Sequence, residues 1–394
     1  MNKKISQYSL RIVNITTIVL FALFIYGVMI THLLLPDRAY SSSERRKLTI
    51  FSDIKPASIL NFNLSQDAEK WLLDQFPLRD NWRRLSAFTS INLFRMHDYQ
   101  SVFEYNNRLF KQEFPLKEKS VIAAANMIND FTQNELAGLN VWYSIIPDRN
   151  AYLPENDRYL RMDYEKLNII MRHNTSSSEI VISDLLDLTD YYKTDLHWKS
   201  AEISDVAARL AETMGQTKLS NQDSNNYISH SLKPFYGAWS GQYLLSDLSD
   251  ELVWISNDKI KKARAWYHYD GKYDHIYDTQ ALANPDAYDL FLGGAQPLIT
   301  LSYQTSFEQT GSNTGQPEDS HTTAKYDKTL YLFRDSFGSS LAPLLLDYYD
   351  EIILIDLRYV SAENIDSLLD FKQGADVLFL YSASILNNSE MLIR

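Results

Sequence analysis

The sequence contains no cysteine among its 394 residues. A chain without cysteine forms no disulfide, offers no thiolate to a metal and has no cysteine nucleophile. Basic residues are also fewer than acidic ones, 38 against 50, which gives a formal net charge of −12. Because phosphate binding requires clustered lysine and arginine, this balance argues against a nucleic-acid partner.

Charged residues are missing from one long N-terminal run. Residues 12–36 include no Asp, Glu, Lys or Arg, and this length crosses a hydrocarbon layer of ~30 Å as a helix. We predict an uncleaved transmembrane anchor there, with residues 1–11 as a cytoplasmic tail whose basic residues follow the positive-inside rule. The main domain is then extracytoplasmic at the cell membrane. A cleaved signal peptide is the alternative, although its apolar region usually has about 7–15 residues.

The rest of the chain divides by composition. Residues 37–64 are polar and are interpreted as a stalk, and the main domain is expected over residues 65–394. Within it, residues 218–326 are rich in Tyr, Trp, Asn, Asp and Ser and have little helical periodicity, which indicates an aromatic-rich insertion. Trp266–Asp278 is predicted to form a hairpin with Asp270-Gly271 in a type I′ turn.

The C-terminal quarter has the most regular pattern. Three short apolar runs are predicted as strands: Thr329–Ser336, Glu351–Tyr359 and Ala375–Ser382. Helical segments separate them, and this βαβαβ order predicts an α/β fold with a parallel sheet covered by helices on both faces. Ligands bind at the carboxyl ends of such strands, where Ser336, Arg358 and Tyr381 are expected.

Two short segments carry the chemistry of a serine nucleophile. Asp195 precedes His197 by two residues, so its carboxylate is placed to orient the imidazole and to stabilise its charged form. Ser336 stands where a core strand turns into a helix, whose free N–H groups are candidates for binding an oxyanion. Together they supply nucleophile, base and orienting acid. Each has a simpler alternative, a helix cap for Ser336 and a core histidine for His197.

The order of several motifs resembles one family of bacterial surface proteins. Asp195-Leu196-His197-Trp198 is similar to the motif that names the DHHW family, with Leu196 in place of the first His. Further segments also resemble motifs of this family: Arg45–Leu48, Asp74–Asp80, Ile146-Pro147-Asp148, Phe235-Tyr236-Gly237 and Arg334–Gly338. The DHHW proteins are in turn similar to alginate O-acetyltransferase-like periplasmic proteins, which have an SGNH-hydrolase-like domain.

The resemblance implies a function and its residues. It implies an extracytoplasmic serine O-acyltransferase, transferring acetyl groups to a cell-surface polysaccharide or glycopolymer, with Ser336 as nucleophile, His197 as base and Asp195 as its orienter. It also implies substrate contacts by Arg358 and Tyr381, and a membrane-bound O-acyltransferase as partner. Clear counterparts of the Gly and Asn oxyanion donors of SGNH enzymes are missing, and no cofactor is expected.

Other interpretations of the same residues stay open. Arg358 has the alternative of pairing with a buried Asp335 or Asp356. The aromatic side chains of the insertion, among them Tyr236, Trp239, Trp254 and Trp266, either line a sugar groove or fill the core; Tyr236 is kept as a candidate substrate contact. The His and Asp residues of the predicted hairpin match no zinc or calcium spacing, so no metal site is predicted. A non-catalytic glycan-binding or assembly protein and a simple acetylesterase are the alternative functions.

Overall fold

The computed structural model describes residues 2–41, 43–53, 64–154, 159–219, 227–303 and 328–392. The helices are α1 (Asn2–Leu34), α2 (Leu64–Asp74), α3 (Arg79–Phe88), α4 (Glu118–Gln133), α5 (Tyr164–Asn174), α6 (Ser204–Thr213), α7 (Ser240–Tyr243), α8 (Asp258–Lys262), α9 (Phe337–Leu345), α10 (Ala362–Leu368) and α11 (Ala383–Asn387). The strands are β1 (Tyr40–Ser41), β2 (Arg46–Lys47), β3 (Val102–Tyr105), β4 (Arg108–Lys111), β5 (Asn140–Ile146), β6 (Ser178–Glu179), β7 (Ile228–Phe235), β8 (Asp250–Ser256), β9 (Ala263–Tyr267), β10 (Lys272–His275), β11 (Leu298–Tyr303), β12 (Thr329–Arg334), β13 (Glu351–Ile355) and β14 (Asp376–Ser382).

The chain forms two compact units, Met1–Met96 and His97–Arg394. In the first unit, helix α1 contains a segment, Leu10–Leu34, that is long and apolar enough to cross a membrane, with a mean hydropathy of 2.3. Apolar side chains along this segment are exposed, as an anchor or a signal sequence requires.

The predicted stalk is folded where the structure describes it. Both Nη atoms of Arg46 donate to the carboxylate of Asp74 on α2, and the Thr49 N–H donates to the same group at 2.9 Å. Glu44 pairs with Arg79 on α3 at 2.6 Å. The bonds from Arg46 lower the pKa of Asp74 to about 2, against the opposing effect of burial. These bonds hold the described segments 37–41 and 43–53 against α2 and α3, and the predicted stalk positions 42 and 54–63 lie outside the described residues.

An eight-stranded sheet forms the centre of the second unit, in the order β10-β9-β11-β13-β12-β14-β5-β6. Strands β13, β12, β14, β5 and β6 are parallel, and β11, β9 and β10 continue the sheet in antiparallel pairing. The predicted βαβαβ order is confirmed. Residues 263–303, predicted as part of an insertion, supply the three antiparallel strands.

Buried apolar residues alternate between the two faces of the sheet. Leu330 and Leu332 of β12 pack in one core cluster with α6 and α9. Tyr331 and Phe333 of the same strand pack in another with α4 and α5. Because successive side chains of a strand point to opposite faces, a continuous apolar run indicates a strand covered on both sides, and the predicted helices on both faces are confirmed.

The predicted hairpin is present, with a different turn. Strands β9 and β10 pair with Tyr267 opposite Lys272, which leaves four residues in the loop instead of the two of a type I′ turn. Gly271 has φ 59°, and its N–H donates to the Tyr267 carbonyl at 2.9 Å. The expected type I′ turn was wrong because β9 ends two residues earlier than a turn at Asp270-Gly271 requires, while β10 begins directly after Gly271.

Candidate active site

The carboxyl ends of the central strands hold most of the predicted site. Ser336 follows β12 and immediately precedes α9, and Arg358 comes three residues after β13. Both line one cleft of about 150 Å³, which has room for several water-sized groups. Its wall also includes Lys111, Glu113, Asp148, Arg149, Asn150, Leu196, Trp239, Asp335, Phe337, Ser382, Ser384 and Ile385.

A second segment brings Asp195 and His197 to this cleft. The segment is closed by a bridge between Tyr191 and Trp198. The indole N–H of Trp198, which is fully buried, donates to the Phe337 carbonyl at 3.2 Å and to the Ser340 hydroxyl at 2.9 Å. Trp198 therefore packs the segment onto α9 and is not among the residues that line the cleft.

Three side chains form a continuous hydrogen-bonded chain. His197 Nε2 lies 2.8 Å from Ser336 Oγ, and His197 Nδ1 lies 2.6 Å from Asp195 Oδ1. Asp195 is fully buried, His197 is 7% exposed and Ser336 is half-buried on the cleft wall. The bond to Asp195 places the proton on Nδ1 and leaves Nε2 as an acceptor for the serine hydroxyl. The residues predicted from two distant segments are thus brought together in the geometry of a serine triad.

Backbone and buried groups fix the position of Asp195. Its carboxylate accepts from the N–H of His197 at 3.1 Å and of Ala238 at 2.8 Å. Its carbonyl accepts from Arg149 at 2.7 Å. The N–H and the hydroxyl of Thr194, the preceding residue, both donate to Asp250. A carboxylate held from several sides keeps one orientation, which the imidazole then follows.

Arg149 is a residue of this site that the sequence reasoning did not single out. It is 1% exposed, and its guanidinium lies between the rings of Phe110 and Trp239, 4.8 and 4.7 Å from their centroids. Burial and the nearby Arg108 lower its pKa to about 9, so it is still charged at neutral pH. Its place directly after Ile146-Pro147-Asp148 was the available signal.

The start of α9 differs from the prediction. The N–H of Phe337 donates to Asp335 Oδ1 at 3.0 Å, and the N–H of Gly338 donates to the Asp335 carbonyl at 3.1 Å. Ser339 donates to the Ser336 carbonyl at 3.2 Å. These helix N–H groups are therefore occupied and not free to bind an oxyanion. The N–H of Ser336 itself has no hydrogen-bond partner within the described part of the chain.

Arg358 lies on the cleft wall with a fixed guanidinium. Its Nε and Nη2 donate to the two oxygens of Asp356 at 2.9 and 2.6 Å, and Asp356 also pairs with the buried Arg334. Burial lowers the pKa of Arg358, but the bonds to Asp356 outweigh this and raise it. Arg358 therefore pairs with a buried aspartate and also lines the cleft, so the two interpretations of this residue do not exclude each other.

Two other candidate substrate residues lie away from the cleft lining. Tyr381 is 1% exposed and packs in the core cluster on the α4 and α5 side of the sheet. Tyr236 is 55% exposed, and neither residue is among those that line the cleft. Trp239 lines the cleft, and Trp254 packs in a buried aromatic cluster.

Gly237, the residue after Tyr236, has a structural role at the site. The N–H of Gly237 donates to the Thr194 hydroxyl at 2.8 Å. A Cβ at position 237 would lie 2.2 Å from the carbonyl carbon and oxygen of Thr194, so only glycine fits against the segment that carries Asp195. Among the described residues, no group of three or more His, Cys, Asp or Glu is placed to hold a metal.

Comparison with known proteins gives structural relatives. No protein-family model and no curated protein sequence matches the chain. The fold is similar to that of a DHHW family protein from Eubacterium siraeum, with 18% identity, a TM-score of 0.55 and coverage of 75% of this chain and 97% of that one. It is also similar to Bacillus cereus PatB1, solved with a sulfonyl adduct, with 16% identity, a TM-score of 0.53 and coverage of 72% and 95%. A more distant likeness, with 12% identity, a TM-score of 0.38 and coverage of 73% and 92%, is to the O-acetyltransferase domain of Pseudomonas putida AlgJ. The first two likenesses show that this chain shares the fold that the sequence motifs predicted.

Proposed function

We propose that this chain is a serine O-acyltransferase that transfers an acyl group, acetyl in the first instance, to a cell-surface polysaccharide or glycopolymer. The observation that carries the proposal is the unbroken chain Ser336–His197–Asp195, with distances of 2.8 and 2.6 Å and the serine hydroxyl on an open cleft. A buried histidine between a carboxylate and a cleft serine is the arrangement that activates a hydroxyl for attack.

The first half of the reaction forms an acyl-enzyme. His197 Nε2 accepts the proton of Ser336 while Oγ attacks the ester carbonyl of the donor. The tetrahedral intermediate collapses, and the bond between the acyl carbon and the leaving-group oxygen breaks. The imidazolium gives its proton to the leaving-group oxygen. Asp195 stabilises the imidazolium and stays ionised throughout.

The second half delivers the acyl group. An acceptor hydroxyl passes its proton to His197 Nε2 and attacks the acyl carbonyl, which breaks the bond to Ser336 Oγ and forms the new ester. His197 then returns the proton to Oγ. Water as acceptor gives hydrolysis instead, so an acetylesterase differs from a transferase only in which hydroxyl occupies the cleft.

Two groups are candidates for stabilising the oxyanion. The Ser336 N–H has no partner among the residues described. The charged guanidinium of Arg358 lies on the same cleft wall. Removing one such donor in serine enzymes lowers kcat by about 10²–10³-fold. Of the two donors, the Arg358 guanidinium is the one that a side-chain substitution removes.

Helix α1 is the membrane anchor in this proposal, with the N-terminus in the cytoplasm and the catalytic unit outside. Its length and hydropathy support the anchor, and Lys3, Lys4 and Arg11 support the orientation. Acyl groups for an extracytoplasmic reaction must cross the membrane, which is the task of a membrane-bound O-acyltransferase partner. The anchor would hold the two proteins on one surface.

A glycan-binding protein without chemistry is the second candidate. The observation that favours it is the occupied N–H groups at the start of α9, which leave fewer oxyanion donors than a helix start usually offers.

Ester hydrolysis by the full-length protein in detergent separates the two functions. We expect acetate release from p-nitrophenyl acetate, falling about 1,000-fold in Ser336→Ala and in His197→Ala. His230→Ala is the matched control, because His230 Nε2 also bonds a serine, Ser256 Oγ, at 2.9 Å away from the cleft lining. Equal rates in all four proteins would overturn the enzyme proposal and favour the binding protein.

A further inference from the structure

One wall of the cleft has no part in the triad chemistry. This wall is formed by Glu113, which follows β4, by Asp148 and Asn150, which follow β5, and by Ser384 in the first turn of α11. We call Glu113, Asp148 and Asn150 the acidic wall. Ser384 joins its members, since its N–H donates to Asp148 Oδ1 at 3.4 Å and its hydroxyl to Glu113.

The acidic wall has more acceptors than donors. Asn150 is 3% exposed. Its Oδ1 atom is buried and has no hydrogen-bond partner among the described residues. Its Nδ2 is already used, donating to the Lys111 carbonyl. From the residues that the structure describes, Asp148 receives only long bonds, from the Ser384 N–H and from the Tyr164 hydroxyl, both at 3.4 Å. A buried acceptor without a donor costs free energy, so the wall is incomplete until a donor arrives.

Electrostatics agree with this geometry. Burial, and then the neighbouring Glu113, raise the pKa of Asp148 well above its usual value. Burial also raises the pKa of Glu113, against the effect of its bond from Ser384. Carboxylates are relieved by hydrogen-bond donors, and a third carboxylate brought close to both would be repelled.

The cations near the acidic wall offset this only in part: Lys111, which lines the cleft, and Lys117 lower the pKa of Glu113, but burial outweighs them and the pKa stays raised. The Arg149 guanidinium donates to the carbonyls of Tyr192 and Asp195, and the Nε and Nη2 atoms of Arg358 donate to Asp356. An anionic sugar would therefore meet two carboxyl groups whose negative charge is already unfavourable because they are buried. A neutral sugar brings hydroxyl donors at no such cost.

We propose that the acidic wall is the acceptor subsite, and that it binds the hydroxyls of a neutral sugar unit. One hydroxyl then points at the acyl group on Ser336, while others donate to Asn150 Oδ1 and to the carboxylates. This deepens the proposed function and rests on it, since it names a neutral glycan, not a polyuronate, as the acceptor class. In the transfer step the sugar hydroxyl gives its proton to His197, and the acyl carbon exchanges its bond to Ser336 Oγ for one to the sugar oxygen.

Binding measurements on the full-length protein in detergent test the subsite. Calorimetric titrations use three neutral hexasaccharides, of xylose, glucose and N-acetylglucosamine, and hexagalacturonate as the anionic one. We expect at least one neutral hexasaccharide to bind, hexagalacturonate to bind at least about tenfold more weakly, and Glu113→Gln to weaken the neutral ligand about tenfold. The matched control is Glu104→Gln, which removes the same charge at an exposed position on β3 and leaves binding unchanged.

Asp148→Asn serves as a second variant should Glu113→Gln fail to fold, with the same expected loss. The subsite is overturned if hexagalacturonate is preferred, if no neutral hexasaccharide binds, or if Glu113→Gln and Glu104→Gln are alike. Hydrolysis of p-nitrophenyl acetate by the wild type is measured in parallel. Ser336-dependent hydrolysis without neutral-glycan binding overturns the subsite alone, whereas loss of both overturns the proposed function as well.

Discussion

The phenol ring of Tyr288 lies flat on the imidazole of His197, with ring centroids 3.8 Å apart and planes inclined by 8°. Tyr288 belongs to a short 3-10 helix, Ala287–Leu290, in the aromatic-rich part of the chain. Its hydroxyl donates to Ser340 on α9 at 3.0 Å. Burial raises the pKa of Tyr288, so the phenol stays neutral and its ring face is available to a positive imidazolium.

This stack predicts a graded response to substitution. Tyr288→Phe keeps the ring and should retain most of the esterase activity. Tyr288→Leu removes the ring, and because a cation on an aromatic face is worth about 1–2 kcal/mol when desolvated, kcat should fall about tenfold. The pH–rate profile distinguishes a change in the base from simple unfolding, since the acid limb should move in Tyr288→Leu and not in Tyr288→Phe. Coincident profiles for the two variants would contradict this role.

Gly237→Ala tests the close contact between Gly237 and the backbone of Thr194, the residue before Asp195. The added Cβ would overlap the Thr194 backbone at 2.2 Å, and relieving such overpacking costs about 1–3 kcal/mol. The segment that carries Asp195 must shift, so kcat/KM for p-nitrophenyl acetate should fall about tenfold or more, with a lower melting temperature. Wild-type activity in Gly237→Ala would show that the segment tolerates a different position.

Arg358 is predicted to act on the rate more than on substrate binding. Arg358→Ala should lower kcat by about 10²-fold, the usual loss of an oxyanion donor, with a small change in KM. Arg358→Lys should be intermediate, because lysine keeps the charge but loses the two-point contact with Asp356. Steady-state kinetics of both variants decide this. A rise in KM at constant kcat would assign Arg358 to ground-state binding instead.

The pKa of Asp148 predicts a pH-dependent gain in stability. A carboxyl whose pKa is raised on folding costs stability once the pH passes its unfolded value of 3.8, and the cost grows until the folded pKa is passed. Asp148→Asn removes that cost, so its melting temperature should exceed the wild-type value at pH 7 by about 2 °C or more. At pH 3 both proteins carry a neutral group and should melt alike. A variant less stable than the wild type at pH 7 would contradict the raised pKa.

Local patterns were enough to predict the centre of the fold and to single out Ser336, His197 and Asp195 as candidate residues. The continuous apolar runs of β12, β13 and β14 can only be buried on both faces, and connections between them fix the parallel order. Asp195 and His197 are close in sequence, and Ser336 stands at a strand end, so each could be identified locally. Their meeting is a tertiary fact that the sequence predicted only through the resemblance of its motifs.

Contacts between distant segments account for what was missed. No motif marks Tyr288, and the motifs at Arg149 and Gly237 do not reveal that these residues contact the Asp195–His197 segment, because each contact joins positions more than 40 residues apart. The hairpin of β9 and β10 was predicted as part of an insertion, and β11 was not predicted as a strand, because residue composition does not reveal that a segment extends a sheet at its edge. The polar residues 37–53 looked extended because their partners, Asp74 and Arg79, lie on helices further along the chain.

Covalent labelling of Ser336 tests the central claim most directly. Sulfonyl fluorides react with activated serine hydroxyls, so phenylmethanesulfonyl fluoride followed by peptide mass spectrometry is the measurement. We predict one labelled serine, Ser336, with labelling lost in His197→Ala and retained in His230→Ala. Ser256, bonded to His230 at 2.9 Å, should stay unlabelled. Labelling of Ser336 that persists at the same rate in His197→Ala, or that is no faster than at Ser256, would contradict a catalytic triad in this protein.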